Sequence, residues 1–334
     1  MRSKIILETV PCNLCEGTKT EPLYDITEKI SGRNGIFKLV RCTNCGLCFI
    51  NPRPTVAAIT HYYPEESYYA YRFNDPKTMK QRIRNYILEE RGGYPHEEKE
   101  RLLVRIAGQL IGAMLKSQIL MHVPNIPDGK ALDIGCGCGE HLLWLRNHGW
   151  KEVHGVEISR SAAMLANEHN LNVFCGELTD AHYPDSYFDF ISINHVLEHM
   201  HDPMAIIKEI QRILKKQGLL IIGVPNFGSY ENKILGKHQI YLEEVPRHLY
   251  HFSRDTITAL LERNGFAICK TVGKTFFLGS TNRRSLRKLR TEESPHRFLS
   301  AIFRIYIQRP FMYVLANDKE SFGPLFTFYV RKAN

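Results

Sequence analysis

Two kinds of cysteine motif, a run of closely spaced glycines and a histidine-rich loop are the parts of this chain able to do chemistry. Cys12-x-x-Cys15 and Cys42-x-x-Cys45 each form a knuckle, and Gly46 after the second pair suits a tight turn. The 26 residues between the pairs hold the strand-like stretches EPLYDI and IFKLVRC. Four thiolates so spaced predict a closed, tetrahedral structural zinc site. Such a site has no open position for catalysis, and its work is to fold a segment too small to stabilise itself. Cys48 is a spare thiol and is expected in the core. Cys136-Gly-Cys138 is different, because two thiols one residue apart cannot easily grip one metal tetrahedrally, and no further ligand stands nearby in sequence.

The second motif surrounds that pair. In KALDIGCGCGEHLLWL, Asp133 is followed by Gly135, Gly137 and Gly139, which lead into a helical pattern. Glycines there let the backbone turn sharply and approach a ligand. A dinucleotide fingerprint, G-x-G-x-x-G, does not fit: from Gly135 the third glycine falls on Glu140, and from Gly137 on Leu142. The pattern D-x-G-x-G-x-G needs no pyrophosphate cradle. Glu157, 18 residues after Gly139, ends the next strand, where a carboxylate can accept hydrogen bonds from both ribose hydroxyls.

The third group lies in PNFGSYENKILGKHQIYLEEVPRHLYHFS, residues 225–253. His248 and His251 flank Leu-Tyr, and either is a candidate base that titrates near neutral pH. The competing expectation is that they pin the loop by hydrogen bonds. His195 to His199 reads HVLEH, which matches an inverted zincin signature. That chemistry needs a helix, whereas here a strand is expected to end at the motif and Pro203 opens the next helix. Tyr68 and Tyr69, in an aromatic run, are candidates for a lid.

These residues must be positioned by an α/β framework. KALDI, EVHGVEI, LNVFC, YFDFISIN, GLLIIGVP, FAICKTVGK and LFTFYV are predicted strands. Between them stand helical patterns, with Ser159 and Ser253 as N-caps and Pro203 in a first turn. GLLIIGVP is an unbroken apolar run, as expected for a strand buried on both faces. The expected organisation is a zinc-bearing unit over 1–54, a helical linker or lid over 55–128, and a parallel α/β domain over 129–334. About 50 residues intervene before the last strand, an insertion over about 276–323.

Composition bounds the rest. The 334 residues suffice for one large or two modest domains. The N-terminal stretch lacks a signal-like apolar run, and no segment approaches the ~20 apolar residues of a membrane span. Nine cysteines then argue for a reducing, cytoplasmic setting. The net charge of +9 is concentrated: from Lys274 onward there are 12 Lys and Arg against 4 Asp and Glu. Residues 281–316 join RRSLRKLR to an arginine-punctuated aromatic stretch. That pairing predicts either peripheral contact with the inner face of a membrane or a helical cap over a substrate pocket.

LDIGCGCG, VHGVEIS, CGELTDAHYPDSYFDFI, INHVLEHMHDP and RILKKQGLLIIGVPN stand in an order and spacing that resembles the class I S-adenosylmethionine-dependent methyltransferases, over roughly 130–275. RCTNCGLCFINPRP ahead of that core resembles a subgroup with an N-terminal zinc ribbon, some of whose members modify nucleotide-linked sugars. The resemblance implies a Rossmann-like seven-stranded sheet with a zinc-ribbon β unit in front and a helical insertion before the last strand. It implies S-adenosylmethionine as cofactor beside zinc. Asp133, Gly135, Gly137 and Gly139 would hold its methionine part and Glu157 its ribose. Glu177 and Leu178 would flank the adenine, while Asn194 and His195 would line the methyl-donor pocket. The expected acceptor is a small molecule, a sugar, glycan or lipid-linked intermediate, methylated at oxygen or carbon. RNA methylation and a non-catalytic cofactor-binding scaffold are the rival expectations. Against RNA, the basic run offers no single-strand stacking platform.

Overall fold

The computed structural model describes residues 6–32, 35–63, 79–94, 102–114, 123–274, 280–309, 311–312 and 322–333. The candidate lid residues Tyr68 and Tyr69 lie outside this set, as do residues 313–316 of the basic insertion.

The N-terminal part is β: β1 (Leu7–Glu8), β2 (Thr20–Thr27), β3 (Ile36–Cys42), β4 (Cys48–Ile50) and β5 (Arg53–Pro54). Helices α1 (Val56–Ile59), α2 (Met79–Gly92) and α3 (Leu102–Met114) follow. The alternating part runs β6 (Lys130–Ile134), α4 (Glu140–Asn147), β7 (Glu152–Glu157), α5 (Arg160–Glu168), β8 (Asn172–Cys175), β9 (Phe188–Asn194), α6 (Pro203–Ile213) and β10 (Leu214–Pro225). The remainder is α7 (Tyr230–Leu235), β11 (Tyr250–His251), α8 (Arg254–Arg263), β12 (Phe266–Lys274), α9 (Ser280–Glu292), α10 (Pro295–Phe303) and β13 (Leu325–Lys332).

Seven strands form one mixed sheet in the order β12-β13-β10-β9-β6-β7-β8. β6 pairs in parallel with both β7 and β9, and β7 with β8. Parallel neighbours need a crossover connection, and α4 and α5 supply it. β6 buries Ala131, Leu132, Asp133 and Ile134 in succession, the mark of a strand covered on both faces. Ser159 caps α5 as expected, its hydroxyl accepting from the Ala162 N–H. Ser253 caps α8 in a reciprocal box with Thr256.

One boundary differs from expectation. The helical pattern of DPMAIIKEIQRILKK stops at Ile213, and the strand begins at Leu214 rather than at the apolar run. The cause is local pairing: Tyr187 N–H donates to the Ile213 carbonyl at 2.7 Å, and Lys215 reaches both oxygens of Asp189 at 2.8 Å.

The chain divides into two compact units that are discontinuous in sequence. One comprises 1–68, 195–208 and 223–326, the other 69–194, 209–222 and 327–334. The first unit contains a four-stranded sheet ordered β11-β4-β3-β2. Its edge strand β11 comes from the distant histidine loop and pairs antiparallel with β4, Tyr250 opposite Phe49 and His251 opposite Cys48. The cysteine-bearing segment and the histidine loop are therefore parts of one sheet.

Candidate functional site

The glycine loop belongs to the second unit. Because β6, β7, β8 and β9 run parallel, Ile134, Glu157, Cys175 and Asn194 all end at one edge of the sheet. Ligands bind beyond such carboxyl edges. Gly135, Gly137 and Gly139 have φ of +70°, +56° and +86°, a left-handed backbone that glycine adopts without strain. At Gly139 a side chain is also excluded by contact: a Cβ would stand 2.4 Å from Leu171 Cδ1.

Two buried carboxylates frame the loop. Glu157 accepts the Gly137 N–H at 2.9 Å through one oxygen and the Ser159 N–H at 2.8 Å through the other. It therefore ties the loop to the start of α5. Each oxygen keeps a further lone pair for a ligand hydroxyl. Burial pushes the Glu157 carboxyl up, while the N–H donors of Ser159 and Gly137 hold it down. Asp133 accepts the Ser192 hydroxyl at 2.6 Å and has His141 Nδ1 3.4 Å from its other oxygen. Ser192 is fully buried on β9, and sequence reading missed it. The available signal was a lone hydroxyl inside an apolar strand, which needs a polar partner. Gly176 N–H donates to the Glu157 carbonyl, which fixes where Glu177 and Leu178 leave β8. Leu178 is buried, and burial raises the half-buried Glu177.

The thiols of this loop fill space. A Cβ on Gly155 would stand 2.6 Å from Cys136 Sγ, so that sulfur occupies the room the glycine leaves. Burial, then Asp133 and Glu157, push the Cys136 thiol well up, and burial raises Cys138 as well. Neither joins a ligand cluster among the described residues.

The first unit holds the opposite arrangement. Cys12, Cys15, Cys42 and Cys45 bring their sulfurs within 4.8 Å of one another. Cys12 and Cys45 are 3.4 Å apart, Cys15 and Cys42 3.5 Å. Sulfurs on a tetrahedral zinc at 2.3 Å stand about 3.8 Å apart, so the four thiols fit a single zinc. Gly46 takes the left-handed turn after the second knuckle as expected, φ +78°. Glu16 does so after the first, φ +60°, at a position sequence reading left unremarked. Cys48 is buried outside the cluster.

The same unit gathers His195, Glu198, His199, His248 and His251. The HVLEH motif is not helical: His195 has φ +57° and Leu197–His199 is a single 3-10 turn. Glu198 is 1% exposed, with His195 Nδ1 3.5 Å and His248 Nε2 4.0 Å from one oxygen. Neither oxygen accepts a hydrogen bond among the described residues. Glu198, His199 and His248 also offer ligand atoms within 4.8 Å of one another. His199 Nδ1 faces the Tyr63 hydroxyl at 3.0 Å and the Arg247 carbonyl at 3.1 Å. A carbonyl only accepts, so Nδ1 carries the proton and Nε2 the lone pair. His199 and His248 meet edge to face at 4.6 Å.

The expectation that His248 and His251 titrate near neutrality is not met. Burial drives His248 well below its ordinary value, with His199, His251, His195 and Arg247 adding to the effect. Burial lowers His251 to about 3. Both are therefore neutral at pH 7. Sequence reading missed Glu198, Tyr63 and Arg247 as members of this cluster. The spacing of HVLEH was the signal for Glu198, visible only once zincin geometry is set aside.

Parts of the chain are similar to known proteins. Residues 107–271 match the family described as a methyltransferase domain. Over 119 residues the chain is 34% identical to an uncharacterized protein, MJ1123, of Methanocaldococcus jannaschii, covering 36% of this chain and 56% of that one. Over 118 residues it is 31% identical to the ubiquinone biosynthesis O-methyltransferase of Coxiella burnetii, covering 33% and 50%. The chain spans about half the length of these curated relatives. A solved S-adenosylmethionine-dependent methyltransferase from Archaeoglobus fulgidus is 21% identical, with a TM-score of 0.42 over 67% of this chain and 93% of that one. The chain thus carries a segment similar to a methyltransferase domain. Among the described residues no helix is long and apolar enough to cross a membrane.

Proposed function

We propose that this protein transfers a methyl group from S-adenosylmethionine to oxygen or carbon of a small-molecule acceptor, a sugar, glycan or lipid-linked intermediate, and that a structural zinc holds its N-terminal sheet. The observation that carries the reading is the Glu157 carboxylate bonded across the glycine loop at Gly137 N–H, with Asp133 beside it. Both are acceptors of the kind a cationic nucleoside requires. The cofactor, when bound, supplies an electrophilic methyl group on a sulfonium. Asp133 and the loop glycines hold its amino-acid part, Glu157 its ribose hydroxyls, Glu177 and Leu178 its adenine. Asn194 and His195 line the methyl-donor pocket.

On the acceptor side, His248 is the base. Its Nε2 faces Glu198, and a carboxylate there favours the tautomer with the proton on Nε2. Nδ1, buried and without a hydrogen-bond partner among the described residues, then keeps the lone pair that would take the acceptor proton. Glu198 stabilises the imidazolium once that proton arrives. His251 is the lesser candidate, because among the described residues no carboxylate lies within ion-pair distance of its ring as Glu198 does for His248. Positioning does much of the remaining work, since good orientation is worth ~7–11 kcal/mol in such displacements.

The test uses labelled methyl donor and cell extract as the acceptor source, with mass spectrometry of the products. His248→Ala is expected to lower kcat by ~10²–10⁴ while leaving cofactor affinity unchanged. Transfer at the wild-type rate by this variant would remove His248 from the mechanism. No labelled small molecule from the wild type, with label found in RNA instead, would replace the acceptor class.

A further inference from the structure

The insertion before the last strand presents two faces of opposite character. Inward, α9 buries Ser285, Leu286 and Leu289, and α10 with the π turn after it (Arg304–Gln308) buries Ala301 and Ile305. Leu286, Leu289, Ala301 and Ile305 pack with Ile234 and Leu235 of α7 into one apolar cluster, joined by Phe298, Ile302 and Tyr306. Arg309 is fully buried and paired with Glu231 at 3.1 Å, which ties the far end of this helix to α7. The core requirement of both helices is thus met on one side.

Outward, the helix shows Leu299, Phe303, Ile307 and Phe311, which are 62%, 58%, 60% and 65% exposed. They stand four residues apart. In a regular α-helix such a series drifts around the axis. The π turn, with its i→i+5 bonds, winds less per residue and so offsets part of that drift over Arg304–Gln308. Scattered exposed apolar residues are ordinary, but four large ones at even spacing in one segment make a surface that expects a partner.

The charge around that row selects the partner. Arg297 and Arg304, seven residues apart, run along one edge of α10 and its π turn, and both are exposed. On α9, Arg284, Arg287 and Arg290 recur at intervals of three on the exposed face. Arg287, Arg290 and Arg304 have no carboxylate within ion-pair distance among the described residues. From Ser280 to Met312 the only acidic residues are Glu292 and Glu293, at the turn between the helices. A second copy of this face would set arginine against arginine. Single-stranded nucleic acid would find aliphatic Leu299 and Ile307 where bases need aromatic platforms.

We propose that the outer face of α9 and α10 docks on an anionic lipid surface. The row from Leu299 to Phe311 seats at the acyl boundary, and the arginines reach headgroup phosphates. The acceptor of the reaction is then one held at, or released from, a membrane. This proposal stands on the surface alone, so its failure leaves the catalytic reading intact.

Vesicle flotation of the zinc-loaded full chain tests it, comparing phosphatidylcholine vesicles with vesicles containing about a third phosphatidylglycerol. The protein is expected to float with the anionic vesicles at low salt and to be released at high salt. Phe303→Ser with Phe311→Ser should weaken partitioning about tenfold, and Arg287→Glu with Arg290→Glu and Arg304→Glu about a hundredfold. Phe303→Trp supplies a readout in a minimally altered protein, with indole emission moving to the blue on anionic vesicles. No flotation at low salt, or an unshifted indole spectrum from the Phe303→Trp variant, would overturn the proposal. So would a wild-type dimer by light scattering that Phe303→Ser dissociates, which assigns the row to a second copy. Salt-dependent RNA binding without lipid binding would assign the arginines to nucleic acid and overturn it equally.

Discussion

Cysteine does two unrelated jobs in this molecule. In the first unit, four thiols converge from two knuckles separated by a hairpin, at sulfur spacings that suit a single tetrahedral zinc. In the second, Cys136 and Cys138 sit in a loop whose essential atoms are backbone N–H groups and two carboxylates. Within the four-thiol cluster burial raises Cys12 and Cys45, the latter to about 11, whereas Cys42 lies at about 7 because the N–H groups of Cys45 and Asn44 turned toward its sulfur outweigh burial. Cys136 is held up by burial and then by Asp133 and Glu157, so it stays a neutral thiol packed over Gly155. A knuckle turns donors toward sulfur, while the glycine loop turns acceptors toward a ligand. Residue type alone separates nothing here; spacing and the charge of neighbours do.

The largest consequence of this contrast lies in the first unit. Structural zinc contributes on the order of 10 kcal/mol to small thiolate domains. Cys42→Ser, or chelation, should abolish cooperative unfolding of the region containing β2, β3 and β4, read by hydrogen exchange. Retention of protection after complete zinc removal would break the comparison from that side.

On the loop side, Glu157→Ala removes two charge-assisted bonds and leaves Gly137 N–H unpartnered. An expected loss of about a hundredfold in affinity for the cofactor corresponds to ~3 kcal/mol, within the range for such bonds. Isothermal titration of the variant checks it.

Acid sharpens the picture at the buried histidines beside the zinc-bearing sheet. His251 is held at about 3 when folded, against an ordinary value of 6.5. The unfolded chain therefore binds the proton first, and stability falls as pH drops through 6.5 toward 3. From pH 6.5 to 5 the loss should reach about 2 kcal/mol, and more with His248. Urea unfolding at the two pH values, with zinc retention followed in parallel, measures it. A flat profile would mean these imidazoles are solvated.

The smallest effect should come from the thiols of the glycine loop. Cys138→Ala removes one buried sulfur, costing about 1 kcal/mol, with zinc content unchanged. In the native protein Cys136 should resist alkylation at pH 8 while exposed Cys175 and Cys269 react. Mass mapping of labelled peptides decides it.

Much of this was legible in the sequence, because the signals were local. Strand and helix periodicity, the cap serines, the glycine loop and the two knuckles are each complete within a few residues. What escaped depends on chain segments far apart. Nothing near Tyr250 announces that it pairs with Phe49, 201 residues earlier, to join the zinc-bearing sheet. The depressed histidines have the same origin: a solution pKa is a property of the residue, whereas burial, and then the charges of His199 and Arg247 beside His248, belong to the fold. Ser192 under Asp133 is likewise a cross-strand contact. The exposed row on α10 could be counted in sequence as aromatic and basic, but which of its apolar residues face outward required the π turn.

Titration calorimetry with S-adenosylmethionine and with its demethylated product, on folded zinc-loaded protein, tests the central claim most directly. The account predicts saturable binding of both, weakened about a hundredfold by Glu157→Ala and unaffected by Cys138→Ala. Absence of any binding heat with either nucleoside, in protein whose zinc content and cooperative unfolding are intact, would contradict it.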